Sequence, residues 1–179
     1  MQEDGTKMLG ENRRKLILEW LQENEEPITG KALSDRTNVS RQVIVQDISL
    51  LKAKGEPIIA TSRGYVYFKD NNESPQKSRI IVVSHRSEDT ADELYTLVDL
   101  GVSVKNVMVE HPIYGDLTGS LMLKNRRDVD AFLHEMEKTK ASLLSKLTEG
   151  VHLHTIEADT EQQLDEACEA LRTKGYLLE

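Results

Sequence analysis

The chain has 179 residues, with 23 Lys+Arg against 31 Asp+Glu, a formal net charge of −8 and one cysteine, Cys168. A single cysteine excludes an intramolecular disulfide framework and a cysteine-based zinc finger, and it fits a reducing compartment. With no apolar run of about 18 residues and no basic, apolar leader, the protein is expected to be soluble and cytoplasmic, with no membrane partner. The acidity is uneven: residues 1–69 carry 11 Lys+Arg and 10 Asp+Glu, and residues 70–179 carry 12 and 21. Only the first part is therefore expected to face phosphates.

Leu9 to Gln22 places Leu9, Leu16, Ile17, Trp20 and Leu21 at the spacing of one helical face, which predicts a first helix. Pro27 breaks the chain, and Thr29 can cap a short second helix carrying Ala32 and Leu33 and ending near Thr37. After a turn at Asn38-Val39, Ser40 can cap a third helix from Arg41 to Lys54, closed by Gly55. Ile58-Ile59 and Tyr65 to Phe68, joined by Thr-Ser-Arg-Gly, then read as a β-hairpin. Three helices followed by a hairpin is the order of a winged helix-turn-helix, expected over residues 9–68 and expected to bind double-stranded DNA.

The third helix is the expected reader. Ile44, Ile48 and Leu51 share the buried side, while Gln42, Val45, Gln46 and Ser49 fall opposite. Glutamine can bond adenine twice, arginine can do so with guanine, and an apolar group can touch a thymine methyl. Ser40, Arg41, Gln42, Val45 and Gln46 are the candidate contacts, with Arg63 at the hairpin tip placed to reach a phosphate or the minor groove. The near-neutral charge of this part suggests modest affinity for one copy, which a homodimer reading two half-sites would correct.

Lys69 to Ser78 has no apolar residue and contains a proline, so it reads as a linker (69–78) to a second domain over residues 79–179. There, Arg79 to Ser84 is a short buried strand, followed by a helix from Glu88 to Leu100 capped by Ser87. A strand follows from Val102 to Glu110, then a turn at His111 to Gly115 and a returning strand from Asp116 to Leu123. A long helix is expected from Arg126 to Leu147, a strand from Gly150 to Glu157, and a last helix capped by Asp159 or Thr160 and ended by Gly175. The βαββαβ order plus a terminal helix suggests an α+β, ferredoxin-like sandwich, with expected strand order 4-1-3-2.

That topology gathers histidines. His152 and His154, two apart on a strand, leave the same face. His85 follows the first strand and would meet them across the sheet end. Three imidazoles and a carboxylate drawn from Glu88, Asp89, Asp92 or Glu93 suit a divalent transition metal such as zinc, nickel or iron. His111, Tyr114 and Gly115 lie at the same end, where their loop would cover a small anionic or heteroaromatic effector. His134 is given no role. A metal-dependent hydrolase would need a bound water and a general base, for which Glu110 and Asp116 are candidates. No catalytic motif encloses them, and an enzyme is not expected.

The helix-turn-helix together with Ser84-His85-Arg86, Glu110-His111-Pro112-Ile113-Tyr114-Gly115-Asp116-Leu117 and His152-Leu153-His154-Thr155-Ile156 closely resembles the nicotinate-responsive transcriptional repressors of NAD biosynthesis (NiaR/YrxA type). Their regulatory half is the three-histidine domain. The resemblance implies a repressor of niacin salvage, transport or NAD synthesis genes that binds operator DNA, with nicotinic acid as co-repressor. It also implies a bound divalent metal with His85, Glu93, His152 and His154 as ligands. A metal-sensing repressor, in which the ion is itself the signal, is the alternative.

Overall fold

The computed structural model of the chain describes residues 9–68 and 76–178. It forms two compact units divided between residues 71 and 72. Most of the expected linker lies outside the described residues; its last two, Lys77 and Ser78, already belong to a strand.

The first unit contains α1 (Gly10–Glu23), α2 (Gly30–Thr37) and α3 (Arg41–Ala53), then β1 (Ile58–Thr61) and β2 (Gly64–Tyr67). Local chemistry sets the boundaries. The Thr29 hydroxyl accepts the Ala32 N–H at 3.1 Å to start α2, and Asn38 ends it in the left-handed region at φ 50°. The Ser40 side chain accepts the Val43 N–H to start α3. Ile17, Leu21, Leu33, Ile44, Ile48, Leu51 and Ile58 close the core between the three helices and the hairpin. Ile28 pairs with Tyr65 as a third, one-residue partner of the hairpin. Gly64 is needed there: at φ +133°, a Cβ would stand 2.5 Å from the Ile28 carbonyl oxygen.

The second unit contains β3 (Lys77–Ser84), α4 (Thr90–Asp99), β4 (Ser103–His111), β5 (Gly115–Leu123), α5 (Arg126–Thr139), β6 (Val151–Ala158) and α6 (Glu161–Thr173). The βαββαβ order and terminal helix are as expected, but the sheet runs β3-β6-β4-β5. In domain numbering this is 1-4-2-3 rather than the expected 4-1-3-2. Both orders are fully antiparallel and both set the first strand beside the last, so the pairing that gathers the histidines survives the correction: Val83 faces His152 and Ile81 faces His154. The strand sequences do not encode which strand inserts between a parallel pair. The first strand, β3, is left at the edge and is capped by the chain end, where Leu177 pairs with Val83 and the Leu178 N–H donates to the Val82 carbonyl.

Two helices differ from expectation. α4 is preceded by a turn of 3₁₀ helix at Ser87–Asp89, and Ser87 does not cap it; Asp89 takes the N-cap position without a side-chain bond. α5 stops at Thr139, where Lys140 turns left-handed at φ 54°. Residues 144–148 then form a separate 3₁₀ segment. The apolar stripe of Val129, Phe132, Leu133 and Met136 is interrupted at Lys140, and Leu143, which a continued helix would have turned to the core, instead leads into the 3₁₀ segment. Stopping it lets Leu144 seat on Gly119, 3.3 Å from where a Cβ would stand. At α6, Thr160 and Gln163 form a reciprocal capping box. The core is one layer of Ile81, Val83, Leu94, Leu97, Val104, Leu123, Val129, Ile156, Leu164 and Leu171 between sheet and helices.

Candidate functional site

On β6, burial alternates so that His152, His154, Ile156 and Ala158 face the helices. Two imidazoles thus occupy core positions, where an unpaired polar group would be costly. Their partner is Glu93, fully buried on α4. Its Oε2 lies 2.7 Å from His85 Nε2 and 3.5 Å from His152 Nε2, and its Oε1 lies 3.2 Å from His154 Nε2.

The other nitrogen of each ring is occupied. His85 Nδ1 donates to the Arg86 carbonyl (2.8 Å), His152 Nδ1 to the Gly150 carbonyl (2.9 Å) and His154 Nδ1 to the Asn106 carbonyl (2.6 Å). Carbonyls only accept, so each Nδ1 carries its proton, and each Nε2 presents a lone pair toward the same carboxylate. Electron-rich atoms converging in a buried space require a cation among them, as protons on the rings or as a metal ion. Without metal, proton binding follows that demand. Burial disfavours charge on His85 and His154, yet the hydrogen bond and charge of Glu93 outweigh it and raise both above the ordinary imidazole range. Burial likewise pushes Glu93 up, and the charge of His154 with the close approach of the His152 and His85 rings holds it well below the carboxylate range instead.

The donor set fits a divalent transition metal. Ligand atoms of His85, Glu93 and His152 all lie within 4.8 Å of one another. Donors about 2.0–2.1 Å from a tetrahedral ion stand about 3.3–3.4 Å apart, close to the spacings from Glu93 to His152 and His154. His154 Nε2 and Glu93 Oε1 lie 3.2 Å apart and are both buried without a hydrogen-bond partner among the described residues, so His154 offers the remaining ligand atom of the set. Carbonyl-anchored imidazoles are the usual support for metal ligation, because they fix ring orientation. The structure thus brings His85, Glu93, His152 and His154 together and separates Glu93 from the other acids offered by sequence. Asp92 faces away to Lys174 and Tyr176.

Three supporting residues escaped sequence reading. Gly150, at φ +99°, puts its Cα where a Cβ would meet the His85 carbonyl oxygen at 2.5 Å. Asn106 sits at the irregularity where β4 shifts register, and its side-chain oxygen also accepts the Thr155 N–H. The Tyr176 ring lies 5.2 Å from His85. Glycine before a strand was the only available signal.

The hairpin residues are placed differently. His111 closes β4 opposite Gly115, but its Nδ1 accepts the Ile113 and Tyr114 N–H groups of its own turn. Ile113 and Tyr114 are 82% and 75% exposed. His111, Tyr114 and Gly115 are not in the convergent group. Glu110 and Asp116, the candidate bases of a hydrolase, are exposed partners across the same hairpin.

In the first unit, Ser40, Arg41, Gln42, Val45 and Gln46 are exposed along the start of α3. Ser40 is committed to its cap. Arg63 is held back: it pairs with Glu26 at 3.5 Å, and its side chain is only 20% exposed. Sequence reading also missed a buried pair behind the reading face. Arg13 Nε on α1 donates to Asp47 Oδ2 on α3 at 2.5 Å, and Arg14 reaches Oδ1 at 3.3 Å. The signal was present, since Asp47 lies between Ile44, Ile48 and Leu51 on the buried face, and a carboxylate there needs a cation.

Among the described residues, no helix is long and apolar enough to cross a membrane. Residues 13–66 match the family model of an HTH domain, and residues 78–179 match that of the 3H domain. The chain is 51% identical over 173 residues to the transcription repressor NadR of Bacillus subtilis, covering 96% of each chain. It is 39% identical over 173 residues to the probable transcription repressor NiaR of Thermotoga maritima, covering 97% of each. These relatives are named as repressors, not enzymes. A DNA-binding helix-turn-helix followed by a 3H domain, matched over nearly the full length, places this chain in the NadR/NiaR family of transcription repressors.

Proposed function

We propose that this protein represses genes of niacin salvage, niacin transport and NAD biosynthesis, binding operator DNA as a homodimer with nicotinic acid as co-repressor beside a divalent metal ion. His85, Glu93, His152 and His154 hold that ion, and Arg41, Gln42, Val45 and Gln46 read the operator. The observation that carries the reading is the cluster of three carbonyl-anchored imidazoles around one buried carboxylate, on a chain whose other unit is a DNA-binding domain. Zinc, nickel and iron suit this donor set. The ion supplies fixed positive charge in the core of the sensing domain. Apolar side chains on the outer sheet face, Ile80 and Val151 among them, are exposed and support pairing of two copies.

Effector and operator must then strengthen each other's binding by the same factor. Fluorescence anisotropy on DNA from upstream of niacin-transport and NAD-synthesis genes tests this, with nicotinate, nicotinamide and NAD as additions. Nicotinate is expected to tighten binding; operator affinity unchanged at saturating nicotinate refutes it. The same cluster supports a metal-sensing repressor as second reading. Titrating metal at constant nicotinate separates the two, since only there does the ion alone switch DNA affinity.

A further inference from the structure

A surface pocket of about 420 Å³ opens between the end of β3 and the segment leading into β6. One wall is Ser84 to Ser87, and the other includes Ser145, Lys146 and Gly150. This is within the range of small-ligand sites. We propose that this pocket takes a small carboxylate, with Lys146 as its charge partner, and that the 145–150 segment rather than the 111–115 hairpin recognises the effector. The proposal rests on the metal reading above.

Charge supports it first. A divalent ion with one carboxylate and three neutral imidazoles leaves one positive charge uncompensated, and His85 forms both the edge of that cluster and a wall of the pocket. An anion seated there neutralises the excess. Of the two basic residues in the lining, Arg86 is committed to Glu88 and Asp89 at 3.2 and 3.3 Å. Lys146 is exposed and has no ion pair among the described residues. Glu149 also lines the pocket and disfavours a dianion, which points to a monocarboxylate.

Mechanical coupling supports it second. Gly150 adjoins both sides: its carbonyl accepts from His152, and its backbone runs so near His85 that a Cβ on it would stand 2.5 Å from the His85 carbonyl oxygen. A ligand that pulls Lys146 inward acts on the segment that carries Gly150, and through it on two of the imidazoles. The hairpin has no such link, because His111 serves its own turn.

The test uses the full-length, metal-loaded protein, with isothermal titration of nicotinate, benzoate and nicotinamide and elemental analysis of metal content. Lys146→Ala is expected to weaken carboxylate binding about 10- to 100-fold, the loss of a charge-assisted bond. Metal content is unchanged, nicotinamide is insensitive to the substitution, and Lys146→Arg restores much of the affinity. Stripping the metal weakens carboxylates in the wild type. Unchanged carboxylate affinity in Lys146→Ala overturns the proposal, as does a loss seen only in Tyr114→Ala. If the wild type binds benzoate through Lys146 but not nicotinate, the pocket stands and the nicotinate reading falls. If it binds neither carboxylate, the pocket proposal falls as well.

Discussion

Replacing Asp47 by alanine tests whether a buried charge holds the DNA-reading helix in place. The Arg13 and Asp47 side chains are 8% and 3% exposed and bond at 2.5 Å, so the pair is shielded from water. Removing Asp47 takes the carboxylate away from a buried guanidinium, a change that costs about 3–5 kcal/mol. Arg14, the second cation on Asp47, is 22% exposed and can turn to solvent, so the lower end, about 3 kcal/mol, is expected. A domain of about 60 residues has a total stability of only about 3–9 kcal/mol and loses about 4–8 °C per kcal/mol. The first domain should therefore melt at least about 12 °C lower. Calorimetry of the full chain reads this, with the metal-dependent transition of the second domain as internal reference. Replacing both partners, Arg13→Met with Asp47→Leu, should recover most of the loss, because it leaves no buried charge. A shift below about 3 °C for Asp47→Ala, or a double variant no more stable than the single one, refutes the reasoning.

Gly150→Ala should cut metal affinity by more than about tenfold and lower stability by about 1–3 kcal/mol, since φ +99° is strained for alanine and the new Cβ meets the His85 carbonyl. Normal metal content after dialysis against a chelator counts against it. Metal affinity should rise with pH: His85 and His154 hold protons above the ordinary imidazole range, so metal must displace them until pH passes their raised values. Chelator competition from about pH 6 to about pH 8 measures this, and a flat profile contradicts it. Gln42→Ala and Gln46→Ala should each weaken operator binding by about 1–3 kcal/mol and relax discrimination at one or two base pairs. A uniform loss across scrambled sequences would instead assign them to phosphate contact.

Much of this was determined by the sequence alone, because the signals are local. Helix caps at Thr29 and Ser40, the turn at Asn38 and the period of Ile44, Ile48 and Leu51 depend on neighbours within one or two turns. His152 and His154 share a face in any strand. The pairing of first and last strands is common to both strand orders, so His85 was legible too. Tertiary structure decided the rest. It chose Glu93 from four acids, since only its position on α4 points into the core. It placed β6 between β3 and β4, which lets the Asn106 carbonyl meet His154 across 48 positions of sequence. It also turned the expected single helix after Arg126 into a helix and a 3₁₀ segment, and so built the Lys146 wall beside His85. Arg13 and Asp47 each appeared as ordinary helix charges, 34 positions apart. Local patterns specify which face a side chain takes; which distant partner it meets depends on how separate elements pack, and no window of sequence contains that contact.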